Sequence, residues 1–521
     1  FKREHLASIV AVTATASALL LYWIRSNKDD PFDAFVRPRG RVPYLVSIIF
    51  IISLFILILG HLLCFDKLPG LKFHDWHKQY GSVLRADMGV QKWILVSDPE
   101  IVQTLLATHG AIASDRPFQL FGAKYYALGK RGIILADHTK KWKILRTQAL
   151  SLLSPKMVAQ FSSILDRENT ELINELISSC AEEGQGVNPL PLLQRTSLNY
   201  ILQTGFGTRT TSFSDPLLHQ ILEFVEEGLT IGGPHNDIGG FLPVLKFLDV
   251  ILRRDKMFSK WIKEKRDPVI STLLNRAYST DQDNMFKRLH DQQQNLELDD
   301  EDILVTAGDI VLGGTDTSSI ALSWIFAILL HHPDVVQKIQ EEIDVFIQKN
   351  NRRPMFADRA DFPYIISVQK ESLRYKPLGH FTFFHVLEKD IYCKGYLFPK
   401  GANILPTILT MHYNPELFPE PEIFKPERFL NNTRTMQSCT NGKLEGRDTF
   451  VFGWGRRACP GIHLAEVQMF NIMTRVFADC DIKLPAGEDL PNLEAYRDGG
   501  VAVLPPLFKA RFVPRPNRPT F

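Results

Sequence analysis

Apolar positions follow two unlike patterns along the chain: unbroken runs near the start, and helical spacing from about Leu68 onward. Leu6–Ile24 carries no charged residue and is long enough for one helix to cross a bilayer, which takes roughly 20 residues. Lys2 and Arg3 precede it; Arg25, Lys28, Arg37, Arg39 and Arg41 follow it. The larger basic excess after the span favours the body of the chain on the cytoplasmic side. Residues 1–30 are expected to be a membrane anchor with its span at 6–24, and 31–67 a linker. A chain that opens on Phe1 is also expected to lack its true start.

The linker holds a second apolar run, Tyr44–Cys64, without Asp, Glu, Lys or Arg. Three readings stay open: a second span, a helix lying in the membrane interface, or a stretch foreign to the mature protein. Two spans would return the body to the side of the amino terminus, against the charge asymmetry. The third reading comes from the flanks. PRGRVPYL and LGHLLCF read as one Pro/Gly-containing linker interrupted by VSIIFIISLFI, as an unspliced intron would leave it. Sequencing the transcript decides it.

From Leu68 to the end the pattern predicts one continuous domain, mainly α with a small β portion. SVLRADMGVQKWILVSDPEIVQTLL reads as two short strands, a turn at Ser97-Asp98-Pro99, then a helix. Helical spacing marks Lys141–Leu153, Asp166–Cys180, Leu218–Leu229, Asp255–Ala277, Asp302–His332, Pro333–Asn350 and Phe362–Tyr375. Further β segments are expected near Tyr396–Pro399 and Val501–Phe512. Tyr278–Asp299 and Asn431–Arg447 read as exposed loops, and the sequon at Asn431 is expected to carry no sugar in a cytosolic domain. The helix at Asp302–His332 would be roughly 45 Å long, enough to cross the domain. Its centre reads IVLGGTDTSSI, and each glycine there costs roughly 1 kcal/mol relative to alanine. Gly313 and Gly314 serve either close packing on another helix or a flat group against the backbone. In the second case Asp316 and Thr317 would set a carboxyl and a hydroxyl beside it.

Composition narrows the function. With 60 basic and 58 acidic residues the net charge is +2, so nothing points to nucleic acid. The 6 cysteines lack CxxC spacing, which argues against a disulfide framework or a zinc site and for a reducing compartment. One of them, Cys459, sits in FGWGRRACPG just before an amphipathic helix expected from Ile462 to Phe477. Nearby N–H groups, the helix dipole, Arg456 and Arg457 would all stabilise a thiolate there. Gly453, Gly455 and Gly461 clear side chains from around it, which suits a bulky planar ligand.

FGWGRRACPG resembles the haem-binding loop of the cytochrome P-450 family, F-x-x-G-x-R-x-C-x-G, at Phe452, Gly455, Arg457, Cys459 and Gly461. Glu371-Ser-Leu-Arg374 is similar to the family's E-x-x-R, and Pro426-Glu-Arg-Phe429 to its P-E-R-F. Gly313-Gly-Thr-Asp-Thr-Ser318 resembles its distal-helix motif, and Trp142 with Arg146 its W-x-x-x-R. The wording and the anchor look most like membrane-anchored microsomal, fungal-type members.

The resemblance implies a cytochrome P-450 fold with one long helix over a haem b whose iron is bound by Cys459. Trp142, Arg146, Arg457 and His385 would hold the propionates, with Phe452, Gly313, Gly314 and Gly461 against the cofactor. Glu371, Arg374 and Arg428 would lock the proximal side. Thr317 and Asp316 would relay protons to iron-bound O2. Electrons would come from NADPH through a flavoprotein reductase, with Arg456 as a docking candidate. One atom of O2 would enter a C–H bond or an alkene. The family often has two prolines after E-x-x-R; here Leu378 follows Pro377, which touches the substrate loop and not the iron chemistry.

Pocket segments 117–126, 310–314 and 378–384 are rich in Phe, Tyr, Leu and Gly, so an apolar substrate is expected. Membrane lipid would be its source, with the enzyme a single-pass protein of the endoplasmic reticulum facing the cytosol. Two rivals remain: an O2-independent haem-thiolate isomerase or dehydratase, and a non-catalytic haem sensor. Neither needs the acid–alcohol pair at Asp316 and Thr317.

Overall fold

A computed structural model describes residues 61, 68–182, 184–233 and 253–516. The expected span at 6–24 lies outside them, as does the second apolar run except for His61.

Among the described residues the helices of twelve or more residues are α1 (Pro69–Tyr80), α2 (Lys140–Leu152), α3 (Ser162–Ser178), α4 (Leu190–Phe206), α5 (Pro216–Ile231), α6 (Asp267–Ser279), α7 (Asp300–Leu329), α8 (Pro333–Asn350), α9 (Pro363–Tyr375) and α10 (Ile462–Asp479). The strands are short: β1 (Val83–Met88), β2 (Gln91–Val96), β3 (His385–Val386), β4 (Ile391–Cys393), β5 (Tyr396–Phe398), β6 (Asn403–Pro406), β7 (Cys480–Lys483), β8 (Arg497–Gly499), β9 (Ala502–Leu504) and β10 (Arg511–Pro514). The expected architecture, mainly helical with a minor β portion, is what the chain adopts.

β1 and β2 form an antiparallel pair, and β2 then runs parallel to β6, which β3 borders. This small sheet brings His385 on β3 into the interior. The expected turn at Ser97-Asp98-Pro99 holds because the Asp98 carboxylate accepts the N–H groups of Glu100 and Ile101, capping Pro99–Gln103.

α7 is the spine. Asp299 and Asp302 build a reciprocal capping box, and three acidic residues in the first turn oppose the dipole's positive end. The helix is long and apolar enough to cross a membrane, yet it is mostly buried inside the fold, as a core helix is. α4 packs along it, and α8, α9 and α10 also pack against it. One apolar cluster surrounds Phe121, Phe258 and Trp261 beside the first half of α7; another joins its second half to α10.

Three expectations need correction. The helix expected over Asp255–Ala277 is interrupted by a π-helical turn at Ile262–Arg266. α4 escapes the periodicity reading, because fourteen of its residues, from Leu190 to Phe206, are buried on every side and leave no amphipathic period. The two supposed exposed loops contain helices Met285–Asp291 and Met436–Asn441, which bury Met285, Phe286, Leu289, Met436, Cys439 and Thr440.

Candidate functional site

Cys459 lies between a 3-10 turn at Gly455–Arg457 and the start of α10. Its N–H donates to the Phe452 carbonyl at 2.8 Å, folding the loop back so that the sulfur stands at the helix mouth. The side chain is accessible, yet protein encloses it and burial pushes the thiol's pKa up. Both observations hold if the sulfur faces an interior hollow. The Gly461 N–H and the Arg146 guanidinium act the other way and favour the thiolate. The cation near the sulfur is thus Arg146, not Arg456, which is exposed, or Arg457, which points elsewhere.

The loop glycines also differ from expectation. Gly455 adopts φ +54°, and a Cβ there would lie 2.2 Å from the Leu106 carbonyl oxygen. That glycine is required by backbone conformation and by the neighbouring π-helical turn at Thr104–Thr108. Gly453 is likewise left-handed, and Gly461 would meet only ordinary contacts.

Arg146 is itself part of a cluster of cations. Arg457 donates from Nε to the Ser114 carbonyl at 2.8 Å, from Nη1 to Ile133 at 3.0 Å, and from Nη2 to Ala136. It lies 4.1 Å from the centre of the Trp142 ring, and Arg146 lies 5.4 Å from it. Arg146 itself donates to the Ala458 carbonyl. Sequence reasoning missed Arg116, a buried guanidinium bonded to the carbonyls of Phe384 (2.6 Å) and Ile134 (3.1 Å). Burial lowers the pKa of all three guanidiniums; Arg457 and Arg146 repel Arg116 further, and Arg457 falls to about 10. His385 is buried with Nδ1 donating to the Ala113 carbonyl at 2.7 Å. Burial and the neighbouring Arg116 and Arg457 hold it neutral, so Nε2 offers a lone pair and reaches an anion only after protonation. Asp115 and Asp137 are the carboxylates that partly balance Arg457. One accessible thiol, an aromatic ring and an excess of buried positive charge fit a flat, iron-bearing group with carboxylate arms.

On α7 the structure divides the residues expected to act together. A Cβ on Gly314 would lie 2.6 Å from Ile201 Cγ1 of α4, so this glycine serves helix packing. Gly313 has no atom near its missing side chain, and Thr317 one turn on is exposed within an otherwise buried segment. Both positions face open space. Thr317 Oγ1 donates to the Gly313 carbonyl at 2.8 Å, whereas Asp316 turns away toward α4 and accepts from Gln194 Nε2 at 2.8 Å. Burial raises the Asp316 carboxyl to about 6, against the pull of that bond.

Behind the cysteine loop, Glu371 and Arg374 are fully buried and pair through two bonds of 2.7 and 2.8 Å. Glu371 also accepts from Arg428 at 3.2 Å and from the Lys425 N–H at 2.9 Å. Glu371, Arg374 and Arg428 thus form one hydrogen-bonded set. Next to it stands an ion pair that the sequence did not reveal. Lys370 meets Asp448 at 3.0 Å, both side chains fully buried, and also donates to the carbonyls of Asn432 and Arg434.

A family model described as cytochrome P450 matches residues 53–512. A Postia placenta protein named cytochrome P450 monooxygenase 69 is 27% identical, with 88% of each chain covered. Cytochrome P450 monooxygenase anuE of Penicillium roqueforti is 28% identical over 82% of this chain and 89% of its own. Among solved structures, a zebrafish cytochrome P450 with progesterone superposes at a TM-score of 0.71, 25% identical, covering 86% of this chain and 99% of that one.

Proposed function

The chain belongs to the cytochrome P450 family, and from that premise we propose a haem-thiolate monooxygenase that draws electrons from an NADPH-dependent flavoprotein reductase and oxidises an apolar small molecule. The observation that carries this reading is the accessible Cys459 thiol beside Arg146, which in turn neighbours the buried guanidiniums of Arg116 and Arg457. When bound, haem supplies dioxygen activation and the transfer of one oxygen atom to substrate.

The chain's own residues do the rest. Cys459 would ligate the iron, helped toward the thiolate by Arg146 and the Gly461 N–H. Arg116, Arg146 and Arg457 would hold the two carboxylates of the cofactor, with the Trp142 ring against two of the guanidiniums. An arriving carboxylate would also let His385 take up a proton. The Glu371–Arg374–Arg428 lock fixes the segment preceding the cysteine loop. At Thr317 Oγ1 and Asp316, a hydroxyl facing open space and a carboxyl that is partly protonated near neutrality can hold and pass protons. A sensor or an O2-independent isomerase has no use for that pair.

The apolar composition of segments 117–126 and 310–314 supports an apolar substrate. The exposed Arg456 supports an acidic reductase surface as partner. Residues 6–24 would anchor the protein in the endoplasmic reticulum membrane with its body in the cytosol.

The test is to co-express the full chain with a reductase in membranes, record the reduced CO-bound spectrum, and follow NADPH- and O2-dependent product formation. A strongly red-shifted Soret band, lost in Cys459→Ser, and product from an apolar substrate panel are expected. A band typical of histidine-ligated haem, or product without O2, would overturn the reading.

A further inference from the structure

The Asp316 carboxyl is held by one neutral donor. Gln194 reaches it from α4, Nε2 to Oδ1 at 2.8 Å, while Asp316 itself is 6% exposed. No salt bridge to Asp316 occurs among the described residues. The other charged group that bears on it is Glu226 of α5, a second carboxylate, which in turn feels Arg497 of β8.

The interface around this contact is tight. Gly314 leaves no room for a Cβ against Ile201, and Ser319 Oγ donates to Ser197 Oγ at 3.1 Å. α4 therefore cannot withdraw from α7 without breaking several contacts, and the amide is fixed in place.

A neutral amide is an informative choice. A guanidinium or ammonium at this point would hold Asp316 ionised, leaving no proton to give. An aliphatic side chain would leave the carboxyl without a donor and hold it protonated. One N–H bond favours the ionised form only modestly. We infer that Gln194 is a positioning residue for proton delivery: it orients the Asp316 carboxyl and sets the pH range over which that carboxyl both holds and releases a proton. The inference rests on the monooxygenase reading and adds a residue to it.

The pH dependence has a definite sign. Burial raises the carboxyl to about 6 even with the amide donor in place, and loss of that donor raises it further. In Gln194→Leu the fall of coupled turnover at high pH should move up by about one pH unit, the scale of one hydrogen bond. Gln194→Lys should move it down and release more peroxide per NADPH consumed. Gln194→Asn, one methylene shorter and least disturbing to folding, should follow Gln194→Leu.

A second readout needs no turnover. The infrared C=O band of protonated Asp316, assigned by its absence in Asp316→Asn, should titrate at higher pH in Gln194→Leu and Gln194→Asn than in the wild type. An unmoved band together with an unmoved pH profile would overturn the inference while leaving the monooxygenase intact. If the wild type gives no NADPH-driven product, both readings fall.

Discussion

Asp309 Oδ2 accepts the main-chain N–H of Ile133 at 2.6 Å, across the gap between α7 and the loop that precedes α2. The same oxygen accepts from Ile134 at 3.0 Å, and Oδ1 from the Tyr126 hydroxyl at 3.1 Å. Gly132, at φ +79°, has no room for a side chain against this carboxylate. One residue of the spine thus holds a loop whose carbonyls also serve Arg457, Arg116 and Trp142.

Asp309→Ala should destabilise the protein, because the buried Ile133 N–H and the buried Tyr126 hydroxyl each lose their acceptor at a cost of roughly 1–3 kcal/mol. Asp309→Asn keeps an acceptor and should be milder. The pH dependence separates them further. Burial raises Asp309 from 3.8 to about 6, so its protonated form is favoured by the fold. That contribution is full below about pH 4 and is lost as pH rises through about 6, by at most about 3 kcal/mol. Unfolding midpoints from pH 4 to 7 should therefore show Asp309→Asn gaining on the wild type as pH rises. A constant difference would refute this.

Arg116→Leu should weaken cofactor retention by roughly 10- to 100-fold, the worth of one charged hydrogen-bonding group. Transfer of haem to an apo-globin acceptor reads this directly. Retention equal to wild type would remove Arg116 from the site.

The two glycines of α7 should respond with opposite signs. Gly314→Ala forces a contact with Ile201 and should cost about 1–3 kcal/mol. Gly313→Ala meets nothing and should gain up to about 1 kcal/mol of helix stability while altering substrate binding. Thermal melts and substrate-induced spectral shifts check the pair.

Glu371→Ala strands the buried guanidinium of Arg374, a loss on the order of 3–5 kcal/mol. Soluble, haem-loaded protein should nearly vanish, and the ratio of Soret to protein absorbance in purified material measures it. Normal loading would contradict the lock.

Much of this was legible because its signals are local. The cysteine loop packs its informative residues into ten consecutive positions, and Glu371 and Arg374 share a helix face. What could not be read depends on distant contacts. Arg116 is a single arginine in a loop, with no period or partner nearby in sequence. Gln194 meets Asp316 through the packing of two helices, one of them buried all round. Lys370 finds Asp448 beside a stretch whose polar composition suggested solvent. The Gly313–Gly314 pair was ambiguous in principle, since helical geometry alone sends the two residues to different neighbours.

Arg116, Arg146 and Arg457 repel one another in a low-dielectric interior where carbonyl oxygens, not counterions, are their main partners. Such a cluster gains most from an incoming dianion, so ligand capture and the last stage of chain collapse reinforce each other. Without that dianion the like charges around residues 114–137 stay unrelieved, so protease added to the haem-free chain should cut there first.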